Sequence, residues 1–250
     1  MKVIYPEKVN TITASSEDTN WPVSNLLDNY RVHPWKSTET GSASLTVSML
    51  GGANAVAIFN VPGVDTIRVQ VSNDTDGTVF DETYDQHVID TYTAFFTNSA
   101  FDYPDLWAEY PYQTLDHTIT ITFTMVNTSD VVSVGVLRAG LAKEFREPES
   151  GIKEVLKDFS VVKELNNGAF YVRKRNIIRT FAGTFWSNRD RDFYVFRDLY
   201  QTIGQQPFAA KIVDDNSQNW NIFGRFSEPI SGEHRQGNWS HINFSIEEVI

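Results

Sequence analysis

Residues 117–140, HTITITFTMVNTSDVVSVGVLRAG, decide the fold class. HTITITFTMV (117–126) reads as a strand, its Thr-Ile-Thr-Ile-Thr alternation at a period of two being the pattern of one wet face and one dry face. Asn127-Thr128-Ser129-Asp130 is turn chemistry, and a second strand-like run follows from Val131. Working back towards the N-terminus, ASLTVSM (43–49) and TIRVQVS (66–72) alternate in the same way, and AVAIFNV (55–61) reads as a buried strand. Gly51-Gly52, Pro62-Gly63 and NDTDG (73–77) supply the turns between them. Short strands separated by turn residues, with no useful amphipathic helix among them, predict a β-sandwich.

The flanks of these strands are less regular. Val3-Ile4-Tyr5 reads as a short strand stopped by Pro6, and residues 14–38 read mostly as loop and turn. Residues 78–113 are rich in acids and aromatics, including YTAFF (92–96) and FDYPDLWAEYPY (101–112), and read as long loops plus an irregular strand. These features delimit a first domain over residues 1–143. Residues 144–158, with their charges, Pro148 and Gly151, mark a linker or edge segment.

A second domain is expected over 159–250. Strand-like runs fall around 159–165, 169–173 and 177–186, the first two joined by an Asn166-Asn167-Gly168 turn. The one helix is predicted at about 189–203: Phe193, Phe196 and Tyr200 recur at helical spacing, as do Val195 and Leu199. Ser187 or Asn188 is placed to cap it, and Gly204 to end it. Strands follow at 207–213, 220–227 and 239–249. The whole is a mainly β chain with one flanking helix.

Composition narrows the chemistry. With no cysteine among 250 residues, disulfides and thiolate metal sites are excluded. Neither a signal peptide nor a membrane-spanning helix is expected, and four Asn-x-Ser/Thr sequons read as chance. The net charge of −11 is uneven: residues 1–143 hold 7 Lys+Arg against 17 Asp+Glu, and residues 144–250 hold 14 against 15. An acidic first half argues against sequence-specific nucleic-acid binding, which needs clustered cations.

Catalytic motifs are missing. There is no P-loop, Gly-x-Gly-x-x-Gly, Gly-x-Ser-x-Gly or His-Glu-x-x-His, so no enzyme activity, cofactor or metal is expected. Asp102, Asp105 and Glu109, like Asp81, Glu82 and Asp85, read as solvated acid clusters. A weak Ca²⁺ site and a glycosidase pair are the alternatives. His33 is expected to pack near Trp35. Candidate contact residues are Trp21, Asn25, Trp107 and Tyr110: a Trp can stack on a sugar face while an amide bonds a hydroxyl. For Trp21 this stands level with a core role. Trp35 reads as structural, locking the loop onto the sandwich with Leu26 and Leu27. For Trp107 and the neighbouring tyrosines the alternative is a loop folded over the sandwich end. Arg173, Arg175, Arg179 and Trp186 suit a subunit interface.

The ordered set Ala14-Ser15-Ser16, Asn25-Leu26-Leu27-Asp28 and Pro34-Trp35-Lys36-Ser37-Thr38, with the closing strand pair, resembles the opening of discoidin-like (galactose-binding-like) domains. The Pro-Trp-Lys-Ser-Thr form resembles virion proteins of tailed bacteriophages. The stretch FAGTFWSNRDRDFYVFRDLYQTIGQQPFAAKIV resembles tail-tip proteins of long-tailed phages. These resemblances imply a jelly-roll type sandwich followed by a tail-tube- or hub-like β domain. They further imply a ring-forming distal tail (baseplate) protein, with a hexamer as the candidate ring. Its partners would be itself, other tail proteins (tube, hub, fibre) and a host glycan. By the same resemblance residues 144–250 build the ring and residues 1–143 project outward, and the protein is assembled in the host cytoplasm into the virion. A free lectin-like carbohydrate-binding protein is the rival reading.

Overall fold

The computed structural model describes residues 1–88, 101–102, 104–146, 148, 151–164, 170–188, 193–214, 218–234 and 239–249; for 87, 88, 101, 102 and 234 only the main chain is described. The chain is mainly β. The first thirteen strands are β1 (Lys2–Glu7), β2 (Val9–Ala14), β3 (Trp35–Thr40), β4 (Ser42–Met49), β5 (Ala53–Phe59), β6 (Val64–Asn73), β7 (Gly77–Asp85), β8 (His87–Val88), β9 (Phe101–Asp102), β10 (Leu106–Gln113), β11 (His117–Met125), β12 (Val131–Val134) and β13 (Val136–Glu144). Then come β14 (Lys153–Asp158), β15 (Val161–Glu164), β16 (Phe170–Arg173), β17 (Ile177–Asn188), helix α1 (Tyr194–Ile203), β18 (Phe208–Lys211), β19 (Asn221–Phe226), β20 (Ser231–His234) and β21 (Trp239–Glu248).

Two compact units result: Met1–Glu144 with Phe208–Ile222, and Phe145–Pro207 with Phe223–Ile250. This departs from a division by sequence alone, because β18 pairs with β1 (Val3 opposite Ala210) and draws residues 208–222 into the first unit. Nor is 144–158 a plain linker. Its second half is β14, an edge strand laid against β17 from Lys153↔Ala182 to Asp158↔Ile177.

The first unit is an antiparallel β-sandwich. One sheet has the order β2-β4-β11-β6-β7, and β10-β5-β13-β1-β18 run side by side in the other. The alternating stretch at 117–125 lies at the centre of the first sheet, with Ile121 opposite Leu45 on one side and Val69 on the other. Its dry face, Ile119, Ile121 and Phe123, is fully buried. Side chains of that size each contribute about 1.5–3 kcal/mol on burial. They pack across Val56, Ile58, Leu106 and Leu137 of the facing sheet.

Two expectations change here. Pro6 does not stop β1; the strand continues to Glu7 through a register shift between Ile4 and Glu7. Gly140 of β13 sits so close to Pro6 that an added Cβ would lie 2.3 Å from its carbonyl oxygen, which explains the glycine. Residues 106–113 form the irregular strand, paired with β5 from Leu106↔Ile58 to Glu109↔Ala55, but residues 78–85, read as loop, belong to β7 and pair with β6. Pro111 is tolerated because β10 lies at the end of its sheet and the register shifts between Glu109 and Gln113. YTAFF (92–96) lies outside the described residues.

The second unit is built on β17, which pairs with β21 from Thr180↔Glu247 to Asn188↔Trp239; β14, β19 and β20 lie beside them. Helix α1 turns Phe196, Leu199 and Ile203 inward. Phe196 meets Phe145, Phe185 and Phe226 edge-on at 5.1, 5.2 and 5.9 Å, the geometry aromatic quadrupoles favour. Of the predicted helix, residues 189–192 lie outside the described residues. Ser187 and Asn188 belong to β17 and do not cap it, and Val195 is exposed. Gly204 ends it at φ 59°, its N–H donating to the Tyr200 carbonyl.

Candidate functional site

The opening loop between β2 and β3 is pinned from inside. Leu26 and Trp35 are fully buried, and the Trp35 indole N–H donates to the Ser16 carbonyl at 3.2 Å. Leu26 and Trp35 thus lock the loop as their sequence pattern implies; Leu27 does not, its side chain being exposed. Residues 35–38, read as loop, begin β3 instead, paired with β12.

Arg138 on β13 is the second pin, only 2% exposed. Its Nη1 donates to the carbonyls of Leu26 (3.1 Å) and Leu137 (2.8 Å); its Nη2 donates to the Asp28 carbonyl (2.6 Å) and Asn29 Oδ1 (3.1 Å). Its Nε lies 3.0 Å from a Glu7 carboxylate oxygen. A guanidinium suits this role because its fork reaches several acceptors in one plane. A third clamp joins the loop to the ends of two strands. Arg31 Nη2 donates to buried Asp105 at 3.2 Å, and Asp105 also accepts the Asn60 N–H at 2.9 Å. Asn60 sits at φ 60°, a conformation asparagine adopts more readily than most residues.

Three pins therefore hold residues 26–33 at one end of the sandwich, and the tip between them faces water. Tyr30 is 56% exposed and lies 5.4 Å from the His33 ring, with 52° between the planes. His33 Nδ1 is 3.2 Å from Asp28 Oδ2, while Asp28 Oδ1 accepts the Tyr30 N–H at 2.7 Å. His33 packs on Tyr30 and Asp28, not on Trp35 as expected. The result is an accessible aromatic face bordered by a carboxylate, an imidazole and the Asn29 amide. An apolar face with convergent polar groups can take a sugar ring, stacking under its C–H face while the polar groups bond hydroxyls.

The residues proposed from sequence fall elsewhere. Trp107 and Tyr110 are 3% and 5% exposed and offer no face to a ligand. Trp107 Nε1 donates to Glu109 at 2.9 Å, and its main-chain N–H donates to Gln218 at 3.0 Å. The Tyr110 hydroxyl is 3.1 Å from His117 Nε2, and His117 Nδ1 is 3.1 Å from the Leu115 carbonyl. Burial holds His117 below the ordinary imidazole range and pushes the Tyr110 phenol up. Trp21 is half-buried, with the Lys36 ammonium 4.6 Å from its ring centroid. Asn25 Nδ2 donates to the Pro34 carbonyl at 3.3 Å, so its amide shapes the loop.

Of the acid cluster, Asp105 and Glu109 are each engaged, and the Asp102 side chain lies outside the described residues. Asp105 is engaged by Arg31, and Glu109 by Lys2 at 2.9 Å and by Trp107. Among the described residues no group of three or more metal-ligating side chains converges, and no helix is long and apolar enough to cross a membrane. In the second unit Arg173 and Arg175 are exposed. Arg179 is tied to Glu248, and the Trp186 ring lies tilted by 47° against His241, with centroids 4.9 Å apart.

No protein-family model matches the chain, and no curated protein matches it. Among solved structures it is similar to a chain in the structure of reduced XRCC1 bound to the DNA pol beta catalytic domain, at 12% identity and a TM-score of 0.40, over 54% of this chain and 97% of that one. It is similar to chitosan-binding module 1 of a chitosanase/glucanase from Paenibacillus sp. IK-5, at 18% identity and a TM-score of 0.38, over 53% and 94%. It is also similar to CBM32-3 of a family 31 glycoside hydrolase from Clostridium perfringens, at 15% identity and a TM-score of 0.39, over 53% and 90%. Each likeness spans about half of this chain.

Proposed function

We propose that the chain is a non-catalytic binding protein whose sandwich takes carbohydrate on the loop carrying Asp28, Asn29, Tyr30 and His33. One observation carries this reading: an exposed Tyr30–His33 aromatic pair stands on a loop that Arg138, Trp35 and the Arg31–Asp105 pair hold rigid. A rigid aromatic platform costs little ordering entropy when a ligand binds. A glycan array followed by calorimetry tests it. A hit with a dissociation constant on the order of 0.1–1 mM is expected, weakened about tenfold or more by Tyr30→Ala. A ligand whose affinity Tyr30→Ala leaves unchanged, or no hit on the array, refutes it.

A second reading gives the chain its setting: a ring-forming part of a tailed-phage tail tip, located in the virion, with the second unit building the ring and the sandwich held outward. The resemblance of residues 14–38 to phage virion proteins supports it. So does a surface of the second unit, the β15–β16 hairpin, whose apolar side chains are left in water. Light scattering and negative-stain imaging of the full chain test it: closed rings of defined copy number support it, and a chain that stays monomeric alone and with its neighbouring tail proteins contradicts it.

A further inference from the structure

Nine of the twenty large apolar side chains exposed among the described residues fall within residues 155–177. Their centre is the β15–β16 hairpin, paired Val161↔Arg173, Val162↔Val172, Lys163↔Tyr171 and Glu164↔Phe170. Residues directly opposite in an antiparallel pair share a face. One face therefore carries Val162, Val172, Phe170 and Glu164, with Phe170 67% exposed; the other carries Val161, Lys163, Tyr171 and Arg173. Both faces are open to solvent. A two-stranded ribbon wetted on both sides is marginal by itself, and an apolar patch of this kind marks an interaction surface.

Charge indicates what covers it. Residues 153–179 hold seven Lys+Arg against three Asp+Glu, so the hairpin stands in a basic segment of an acidic chain. Residues 65–85 hold the converse: six Asp+Glu against Arg68 alone. They form β6, the following turn and β7, and β7 is the outer strand of the five-stranded sheet, with one edge unpaired among the described residues. Asp74, Asp76, Glu82 and Asp85 are exposed there. An open strand edge offers main-chain groups to an incoming strand, and the acids select a basic one.

We propose that the β15–β16 hairpin of one copy docks on the acidic β7 edge of a second copy. This rests on the ring-forming reading and names its contact. Because the two surfaces differ, the contact is head-to-tail, and repetition of it closes a ring or extends a filament.

The test uses full-length chain and two charge reversals at exposed positions: Lys163→Glu with Arg173→Glu on the hairpin, and Glu82→Lys with Asp85→Lys on β7. Light scattering should find the wild type oligomeric, with a mass that falls between about 0.1 M and 1 M salt, as the screening length shrinks from about 10 to about 3 Å. Each reversed variant alone should be monomeric. An equimolar mixture of the two should regain the oligomer, since every junction in an alternating assembly is again complementary. Circular dichroism of each variant separates dissociation from misfolding, and Phe170→Ser, which leaves every charge in place, should also weaken assembly. Oligomers that both reversals leave intact overturn the docking while the ring reading stands. A wild type that stays monomeric at about 100 µM, far above the constants of stable assemblies, overturns the docking. So do monomers that sediment with anionic vesicles in a way Lys163→Glu with Arg173→Glu abolishes.

Discussion

Replacing Arg138 by methionine removes the pin between β13 and the opening loop while keeping an apolar stem of similar length. Nη1 and Nη2 together serve the carbonyls of Leu26, Asp28 and Leu137. Leu26 and Leu137 are fully buried, so water does not readily replace the lost donors. A buried acceptor left without its donor costs about 1–3 kcal/mol. Counting Leu26 and Asp28, and allowing for retained packing of the stem, the loss comes to about 3 kcal/mol. For a unit of this size that corresponds to a fall in Tm of about 6–12 °C. Calorimetry on the full chain reads it, with the first unit's transition identified separately because two units need not unfold together. Arg138→Lys should restore little, since one ammonium cannot span the same acceptors. The tip should also loosen: proteolysis near Tyr30 should speed up and glycan affinity should drop with it. An Arg138→Met protein within about 0.5 kcal/mol of wild type, the range of ordinary surface substitutions, would refute the reasoning.

Other outcomes follow from the same structure. Trp35→Ala should cost about 3–5 kcal/mol by emptying a fully buried site, read as a lower urea midpoint for the first unit. Phe196→Ala should cost a similar amount but lower the transition of the second unit, since its ring contacts all lie there. The first unit should lose stability in acid because of His117. Its folded pKa lies below its unfolded value, chiefly through burial, so the contribution is complete above pH 6.5 and fades as pH falls below that value towards the folded pKa. His117→Gln should flatten that part of the urea-stability profile; a profile unchanged by the substitution counts against the assignment. Gly140→Val should be poorly tolerated, because the added carbons meet the Pro6 and Glu7 main chain.

Much of the sandwich was legible in sequence for one reason: β4, β6 and β11 each have one buried face, so their burial follows the two-residue period of the chain. The Pro-Trp-Lys motif likewise marked Trp35 as a core plug. β2 and β3 were not legible, because VNTITA and WKSTET bury few apolar residues and owe their strand form to partners distant in sequence. Trp107 and Tyr110 misled for a related reason. Acids and a proline beside aromatics read as a loop surface. The strand they occupy instead buries both faces at its start, with Tyr110 in the sandwich core and Trp107 on the opposite side. The Tyr30–His33 pair was missed because adjacency in a polar loop carries no period. The available signal was Asn29-Tyr30-Arg31, an aromatic flanked directly by polar residues. Arg138 as a loop pin had no local signal, since its acceptors lie some 110 residues away in sequence.

The central claim is that carbohydrate binds at the Tyr30 tip. Amide and aromatic chemical-shift mapping of the full chain, titrated with the best array ligand, tests it most directly. Binding there predicts saturable shifts concentrated at Asp28, Asn29, Tyr30 and His33, and their loss in Tyr30→Ala. Saturable shifts centred elsewhere on the chain, with this loop unmoved, would contradict it.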